Sequence, residues 1–312
     1  MANEIGVSVV TVNSLVKELV KENIFIEGSS IKQKTGRPAA EYCFNYEKIL
    51  FLLLSIQEEK SMNKKRKLEI HVKITDMEGN EKHSEIIGFS SITMITLTNI
   101  IEQYINSYPK IGRIGLSIPG KISKGIITSS WNNYFNNWNI EKELKEITKI
   151  PIKIQNDAHL MTMGFCIEHD LDIKDGVVGI YYPEKSMPGI TIFTNNAILE
   201  GQSGLAGEAK YLPLLMDKAA PNTKAELAVN LSEIIPIYNA VLAPSTFILS
   251  SNDISEEAIY RALESNPHLA LQPHKPVIYF DQNFQQSLTT GLRWLVTEDT
   301  VYRMQEREIL ET

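Results

Sequence analysis

Near the start of the chain, apolar residues recur at helical spacing. Val12, Leu15, Val16, Leu19 and Val20 share one face of a helix predicted over Val9 to Glu22, with Val10, Thr11, Asn13, Ser14 and Lys17 on or beside its exposed surface. Gly6 permits a tight turn before this helix, and the Ser8 hydroxyl is placed to cap it by accepting from the amide near Thr11. Asn23 stops the helix, Ile24-Phe25-Ile26-Glu27 alternates as a strand, and a polar loop from Gly28 to Thr35 leads to Gly36-Arg37-Pro38. From Ile49 onward strand and helix signals alternate, which predicts an α/β body. Strands are expected at Ile49 to Ser55, at Leu68 to Ile74 with clean period two, near Ile86 and Ile87 after the turn Asp76 to Asn80, at Ile111 to Ile118, and at Ile152 to Gln155. Helices are expected at Thr93 to Ser107, with Ile95, Leu97, Ile100, Ile101 and Tyr104 as apolar positions, and at Glu141 to Thr148 and Ala158 to Glu168.

Turn, helix, strand and basic loop come in the order of the back half of a winged helix-turn-helix. Small polar groups beside a lysine suit a helix in a major groove, because they reach base edges and phosphates without a bulky clash. Ser8, Val10, Thr11, Asn13, Ser14 and Lys17 are therefore the candidate DNA contacts on the helix, and Lys32, Lys34 and Arg37 those on the wing. The bland alternative is a solvated helical hairpin with a charged loop. A helix-turn-helix also needs a first helix behind its turn, and here the chain opens inside the element that should be second, so that first helix is expected to be missing.

At 312 residues the chain has room for two or three globular units, and its 43% hydrophobic and 22% charged residues are ordinary for a soluble protein. A formal charge of −7 argues against nonspecific coating of nucleic acid by the body, so any DNA contact must be local. Cys43 and Cys166 lie far apart and outside any paired motif, which leaves neither a disulfide framework nor a cysteine-rich zinc site. No stretch reads as a signal peptide, and the apolar run Ile49 to Ile56 is far too short to span a bilayer, so a cytoplasmic location and no membrane partner are expected.

Three stretches carry candidate chemistry. The strand ending in Pro119-Gly120 places backbone amides at a carboxyl edge, where open α/β sheets hold ligands. Asn156-Asp157-Ala158 sets a carboxamide and a carboxylate at a strand end before a helix, suited to gripping hydroxyl groups; alternatively Asp157 merely caps that helix. Gly201 to Glu208 is a glycine-rich loop ending in a second carboxylate, where backbone can approach a ligand closely.

Taken together, Gly115-Leu116-Ser117-Ile118-Pro119-Gly120, Trp131-Asn132-Asn133, Asn156-Asp157-Ala158 and Gly204-Leu205-Ala206-Gly207-Glu208 resemble the ROK family of sugar-responsive repressors and sugar kinases, and the head with Gly36-Arg37-Pro38 looks like its repressor branch. The resemblance covers nearly the whole chain in order. It implies an α/β fold: a winged helix-turn-helix at residues 1–45, then a two-lobed actin-like (ribonuclease H-like) sugar-kinase fold with lobes at 46–156 and 157–312, the C-terminal helix packing back on the first lobe. It also implies that Asn156, Asp157, Glu208 and one of Asn132 or Asn133 hold a sugar, with Asp157 at the position of the kinases' general base.

The phosphate-donor side departs from that family. Its first phosphate loop should fall between Ile49 and Ile74, yet Ser55-Ile56-Gln57-Glu58-Glu59 has acidic side chains and no glycine with which amides could close around a triphosphate. The second should fall near Tyr181 to Ile192, where Tyr182-Pro183-Glu184-Lys185-Ser186-Met187-Pro188-Gly189 stands instead, and Ser250-Ser251 replaces the adenosine-side glycines. The family's zinc ligands are also missing: Lys210 stands at the histidine position and no cysteine follows Cys166. Of the histidines, His159 beside Asp157 is the one to watch. The expectation is a non-enzymatic transcriptional regulator, a repressor in type, with no cofactor or metal. Its partners would be operator DNA, a carbohydrate effector and a second copy in a homodimer. The alternatives are a sugar kinase with divergent phosphate loops and a ligand-free dimerisation scaffold.

Overall fold

In the computed structural model, residues 6–28, 41–58, 67–184, 186–252 and 254–300 are described. The head begins with helix α1 (Val9–Lys21), which Ser8 caps as its position predicts: its Oγ accepts from the Thr11 amide at 3.1 Å. Val16 is buried, whereas Leu15, expected on the inner face, is 46% exposed; among the described residues the cover of this helix comes chiefly from β1 (Phe25–Glu27), whose ribbon partner is the short β2 (Tyr42–Phe44). The ribbon is antiparallel, with Phe25 opposite Phe44 and their rings edge to face. Lys32, Lys34 and Arg37, the expected wing cations, lie outside the described residues.

The body is a mixed α/β structure with two five-stranded sheets of one plan. In the first, β3 (Leu50–Glu58), β4 (Leu68–Asp76) and β5 (Glu81–Gly88) form an antiparallel meander. After helix α2 (Met94–Ser107), β6 (Ile111–Ile118) joins β3 in parallel. A small ribbon, β7 (Gly120–Ser123) and β8 (Ile126–Ser130), and helix α3 (Ile140–Ile147) precede β9 (Ile152–Asn156), which joins β6 in parallel. After helix α4 (Asp157–Glu168) the second sheet repeats the scheme: β10 (Val177–Tyr181), β11 (Gly189–Thr194) and β12 (Ala197–Ile198) are antiparallel neighbours. Helix α5 (Lys224–Leu242) leads to β13 (Thr246–Ser250), parallel to β10. Helices α6 (Glu256–Glu264) and α7 (Pro267–Ala270) lead to β14 (Val277–Asp281), parallel to β13, and α8 (Phe284–Thr297) ends the fold.

The layers explain the strand sequences. β3 is apolar along most of its length because both its faces are covered: Leu52, Leu54 and Ile56 meet α2 and α3, while Phe51 and Leu53 meet Leu288, Leu292 and Val296 of α8. Helices α4 and α8 lie between the sheets, with Met161 and Phe165 against Val177, Phe193 and Ile248 of the second sheet. α5 and α6 cover the far side of that sheet through Leu231, Ile234 and Ile259. The two central helices touch backbone to backbone: a Cβ on Gly164 would stand 1.7 Å from the Ser287 carbonyl oxygen, and one on Gly291 2.0 Å from that of Leu160. On α2, Leu97, Ile100, Ile101 and Tyr104 are buried as the spacing predicts, but Ile95 is 72% exposed, on the helix face that it shares with the exposed Asn99 and Glu102. Among the described residues no helix is long and apolar enough to cross a membrane.

Candidate functional site

Between the two sheets, a cavity of about 320 Å³ opens at the ends of the strands, a size suited to a small ligand. Pro119 and Gly120 follow β6 on one side, and Asn156 ends its parallel neighbour β9 with Asp157 directly after it. Asn132, Ser129 and Ser130 come from the ribbon and the turn after it; Glu208 and Lys210 come from the glycine-rich loop of the second half. Tyr181, Pro183, Ser186, Met187, Pro188 and Gly189 close the remaining wall.

Four of the five expected sugar contacts thus meet in one place. Asn132 lines the cavity; Asn133 is absent from its lining and accepts from the Asn136 amide at 2.9 Å. Asn156 borders the cavity, but its carboxamide is engaged in the fold. Register with Ile118 brings its Nδ2 to the Gly120 carbonyl at 2.9 Å, and its Oδ1 accepts from the amides of Ala158 at 3.0 Å and His159 at 3.4 Å. Asn156, and not Asp157, therefore caps α4. This leaves Asp157 in the first turn, with one oxygen accepting from the Ala158 amide at 2.8 Å and part of its surface open to the cavity.

Burial pushes the Asp157 carboxyl up to about 6, opposed by the Ala158 amide and by the charge of Lys121. Such a carboxylate can accept a hydrogen bond from a hydroxyl or take its proton near neutral pH. The Tyr181 phenol is pushed up by burial and by Asp157, so it stays protonated. Glu208 is held by two lysines: Lys210 Nζ lies 3.1 Å from its Oε2 and donates to Ser129 Oγ at 2.8 Å, and Lys121 Nζ lies 4.0 Å from its Oε1. Sequence reading passed over Lys121, Ser129 and Tyr181. The one available signal was a lysine directly after the strand-end Pro119-Gly120. His159 is buried, which drives its imidazole down to about 3, with a further push from Lys121, so the ring is neutral.

At the carboxyl end of β3, where the sequence pattern places the first expected phosphate loop, the halves are bridged by side chains. Gln57, at the end of β3, and Gln285, on α8, exchange amide hydrogen bonds, one of them at 3.2 Å. Tyr181, Ser250 and Asp281 lie in register across the carboxyl ends of β10, β13 and β14. Phe284 stacks on Tyr181 with centroids 4.3 Å apart, and Ser250 Oγ donates to Asp281 at 2.8 Å. Among the described residues no group of three His, Cys, Asp or Glu side chains is arranged to hold a metal.

Comparison with known proteins agrees with this geometry. Residues 68–218 match the model of the ROK family. The xylose repressor of Bacillus spizizenii is 25% identical over 67% of this chain and 54% of its own length. A glucokinase of Halalkalibacterium halodurans is 30% identical over 35% of this chain and 33% of its own. The chain thus spans about half or less of the length of these curated relatives. Among solved structures, a ROK family transcriptional regulator, a homologue of the E. coli MLC protein, superposes with a TM-score of 0.66 at 14% identity, over 95% of this chain and 90% of that one. The strand-end motifs and the doubled sheet plan agree with these matches: over residues 68–218 the chain is similar to the ROK family, and it shares the fold of the superposed regulator.

Proposed function

We propose that this protein is a sugar-responsive transcriptional regulator, in type a repressor, in which the cavity senses a carbohydrate and the head binds operator DNA. The observation that carries this reading is an asymmetry of the cleft: hydroxyl-binding groups line the cavity, while toward the expected phosphate side Gln57 and Gln285 bridge the halves and Phe284 stacks on Tyr181. Asp157, Glu208 and Asn132 would hold the sugar hydroxyls, with Asn156 fixing the helix start that presents Asp157. The similarity to a xylose repressor supports a sugar as the effector.

Helix α1 and its ribbon would be the back half of a winged helix-turn-helix. Val10, Thr11, Asn13, Ser14 and Lys17 are exposed on the helix, as a groove-reading surface requires, and Ser8 at its N-terminus is exposed too. Lys32, Lys34 and Arg37 would supply the wing. Paired heads on a two-fold operator call for a homodimer, whose lobes at 46–156 and 157–312 would close on the ligand and shift the heads.

The test is a thermal-shift screen against pentoses, hexoses, amino sugars, their phosphates and ATP, repeated on Asp157→Ala. A ligand at about a hundred times its dissociation constant adds ~2.7 kcal/mol of stability. A sugar hit lost in the variant, with no shift from ATP, is expected. A second reading, a sugar kinase, is favoured by one observation, the carboxyl of Asp157 poised near 6 as a general base requires. It predicts ATP consumption that Asp157→Ala abolishes.

A further inference from the structure

A buried ammonium group joins the two halves of the molecule beside the cavity. Lys121, on β7, is 3% exposed, a place where an unpaired charge is strongly disfavoured. Its ammonium has two hydrogen-bond partners and one carboxylate at ion-pair distance. Nζ donates to the Ala206 carbonyl at 3.1 Å, stands 3.4 Å from His159 Nε2, and lies 4.0 Å from Glu208 Oε1. The ring of His159 is neutral, so Nε2 accepts from Lys121 while Nδ1 donates to Gln155 Oε1 at 3.2 Å.

These partners come from different elements. Ala206 and Glu208 belong to the glycine-rich loop of the second half, and His159 sits in the first turn of α4, two residues after Asp157. Lys121 itself belongs to the ribbon of the first half. Gly201, Gly204 and Gly207 hold φ values of 66°, 69° and 79°, a region that favours glycine. Besides Lys121, the loop is tied by its own turns, with the Ala206 amide donating to the Glu200 carbonyl at 2.9 Å, by the close approach of Gly204 to Ile122 of β7, by the Gln155–Glu200 bond at 3.2 Å, and by pairing of Gly207 and Glu208 with Ile190 and Gly189 of β11; Lys121 adds the buried side-chain tie among these. Lys210 grips the other oxygen of Glu208 while bracing on Ser129 of the same ribbon.

We propose that Lys121 is a positioning residue of the ligand site, which clamps the loop 200–208 onto the β7–β8 ribbon and thereby fixes the Glu208 carboxylate toward the cavity. The clamp stands on the geometry alone; its effect on ligand affinity rests on the sugar-sensing reading above.

Two readouts on Lys121→Met test it. In the ligand-free protein, amide hydrogen exchange at residues 201–208 should accelerate at least tenfold, while amides of β10 keep their protection; unchanged loop exchange overturns the proposal. In calorimetric titrations with D-xylose and D-glucose, whichever sugar binds the wild type should bind Lys121→Met at least tenfold more weakly. The double variant with Glu208→Gln should then be no weaker than Glu208→Gln alone, because Lys121 acts through that carboxylate. Additive losses overturn the proposal. Lys121→Gln, which keeps a donor for Ala206 and loses the charge, is measured alongside; if Lys121→Met loses protection in β10 as well, the same two readouts are taken on Lys121→Gln. If neither sugar binds the wild type, the sensing reading falls for these sugars and the exchange result alone decides the clamp.

Discussion

Replacing Asp157 by asparagine should make the ligand-free protein more stable while destroying the site. The side chain keeps its shape, and its oxygen can still accept from the Ala158 amide, so the main change is removal of a carboxylate that burial holds at about 6 against an ordinary 3.8. The sign is that of a raised acid. Below 3.8 the group is protonated in both states and carries no penalty. As pH rises from 3.8 to about 6 the unfolded chain ionises first, folding is progressively disfavoured, and above 6 the full penalty applies. At 1.36 kcal/mol per pH unit, that separation amounts to ~3 kcal/mol. That separation is already net of the attraction to Lys121, and solvent at the half-buried side chain screens part of it, so the expected gain at pH 8 is about 1–2 kcal/mol. With an unfolding entropy of ~2.1 cal/mol/K per residue, 312 residues convert this into a rise of about 2–3 °C in Tm. Circular-dichroism melts of both proteins at pH 8 and pH 4.5 provide the assay. The gain should shrink to roughly a third at pH 4.5, where the folded carboxyl is protonated. A variant that melts lower than wild type at pH 8, or a difference independent of pH, refutes the reasoning.

Gly164→Ala drives a methyl into the Ser287 carbonyl, so we expect it to lower stability by more than about 2 kcal/mol in chemical denaturation; a near-neutral result would mean that α4 and α8 do not meet backbone to backbone. Ser8→Ala removes the cap of α1 and should cost ~1 kcal/mol, seen as faster amide exchange in residues 9–12 with the body unaffected. On the proposed reading of α1 as a DNA-contacting helix, Lys17→Ala should weaken DNA binding and lower the slope of log affinity against log salt by about 1, measured by fluorescence anisotropy; an unchanged slope refutes a phosphate contact at Lys17. Gln57→Ala, which removes the bridge to Gln285, should leave any sugar affinity within about twofold by calorimetry, since Gln57 is not part of the cavity wall.

Local pattern carries as far as local physics does. The spacing of Val12, Val16 and Val20, the cap at Ser8 and the alternation of Leu68 to Ile74 are decided by contacts within a few residues, and the structure has each where the pattern puts it. Asp157 and Glu208 stand out as carboxylates at a strand end and at the close of a glycine-rich loop, whereas Asn132 or Asn133 is indicated only by the family resemblance. What they become was decided by tertiary structure. Asn156 took the cap that Asp157 could have taken, because the pairing of Ile118 with Asn156 turned its carboxamide toward both Gly120 and the helix start. Leu15 and Ile95 fit apolar stripes yet lie exposed, since a stripe is wider than the neighbour that covers it. Lys121 is a lone cation in a polar ribbon until the loop from 85 residues later closes over it. Gln57 and Gln285 meet across 228 residues of chain. Periodicity reports which face of an element seeks cover; only the packing of distant segments decides which polar groups are buried together, and that burial gives Asp157, Lys121 and Glu208 their chemistry.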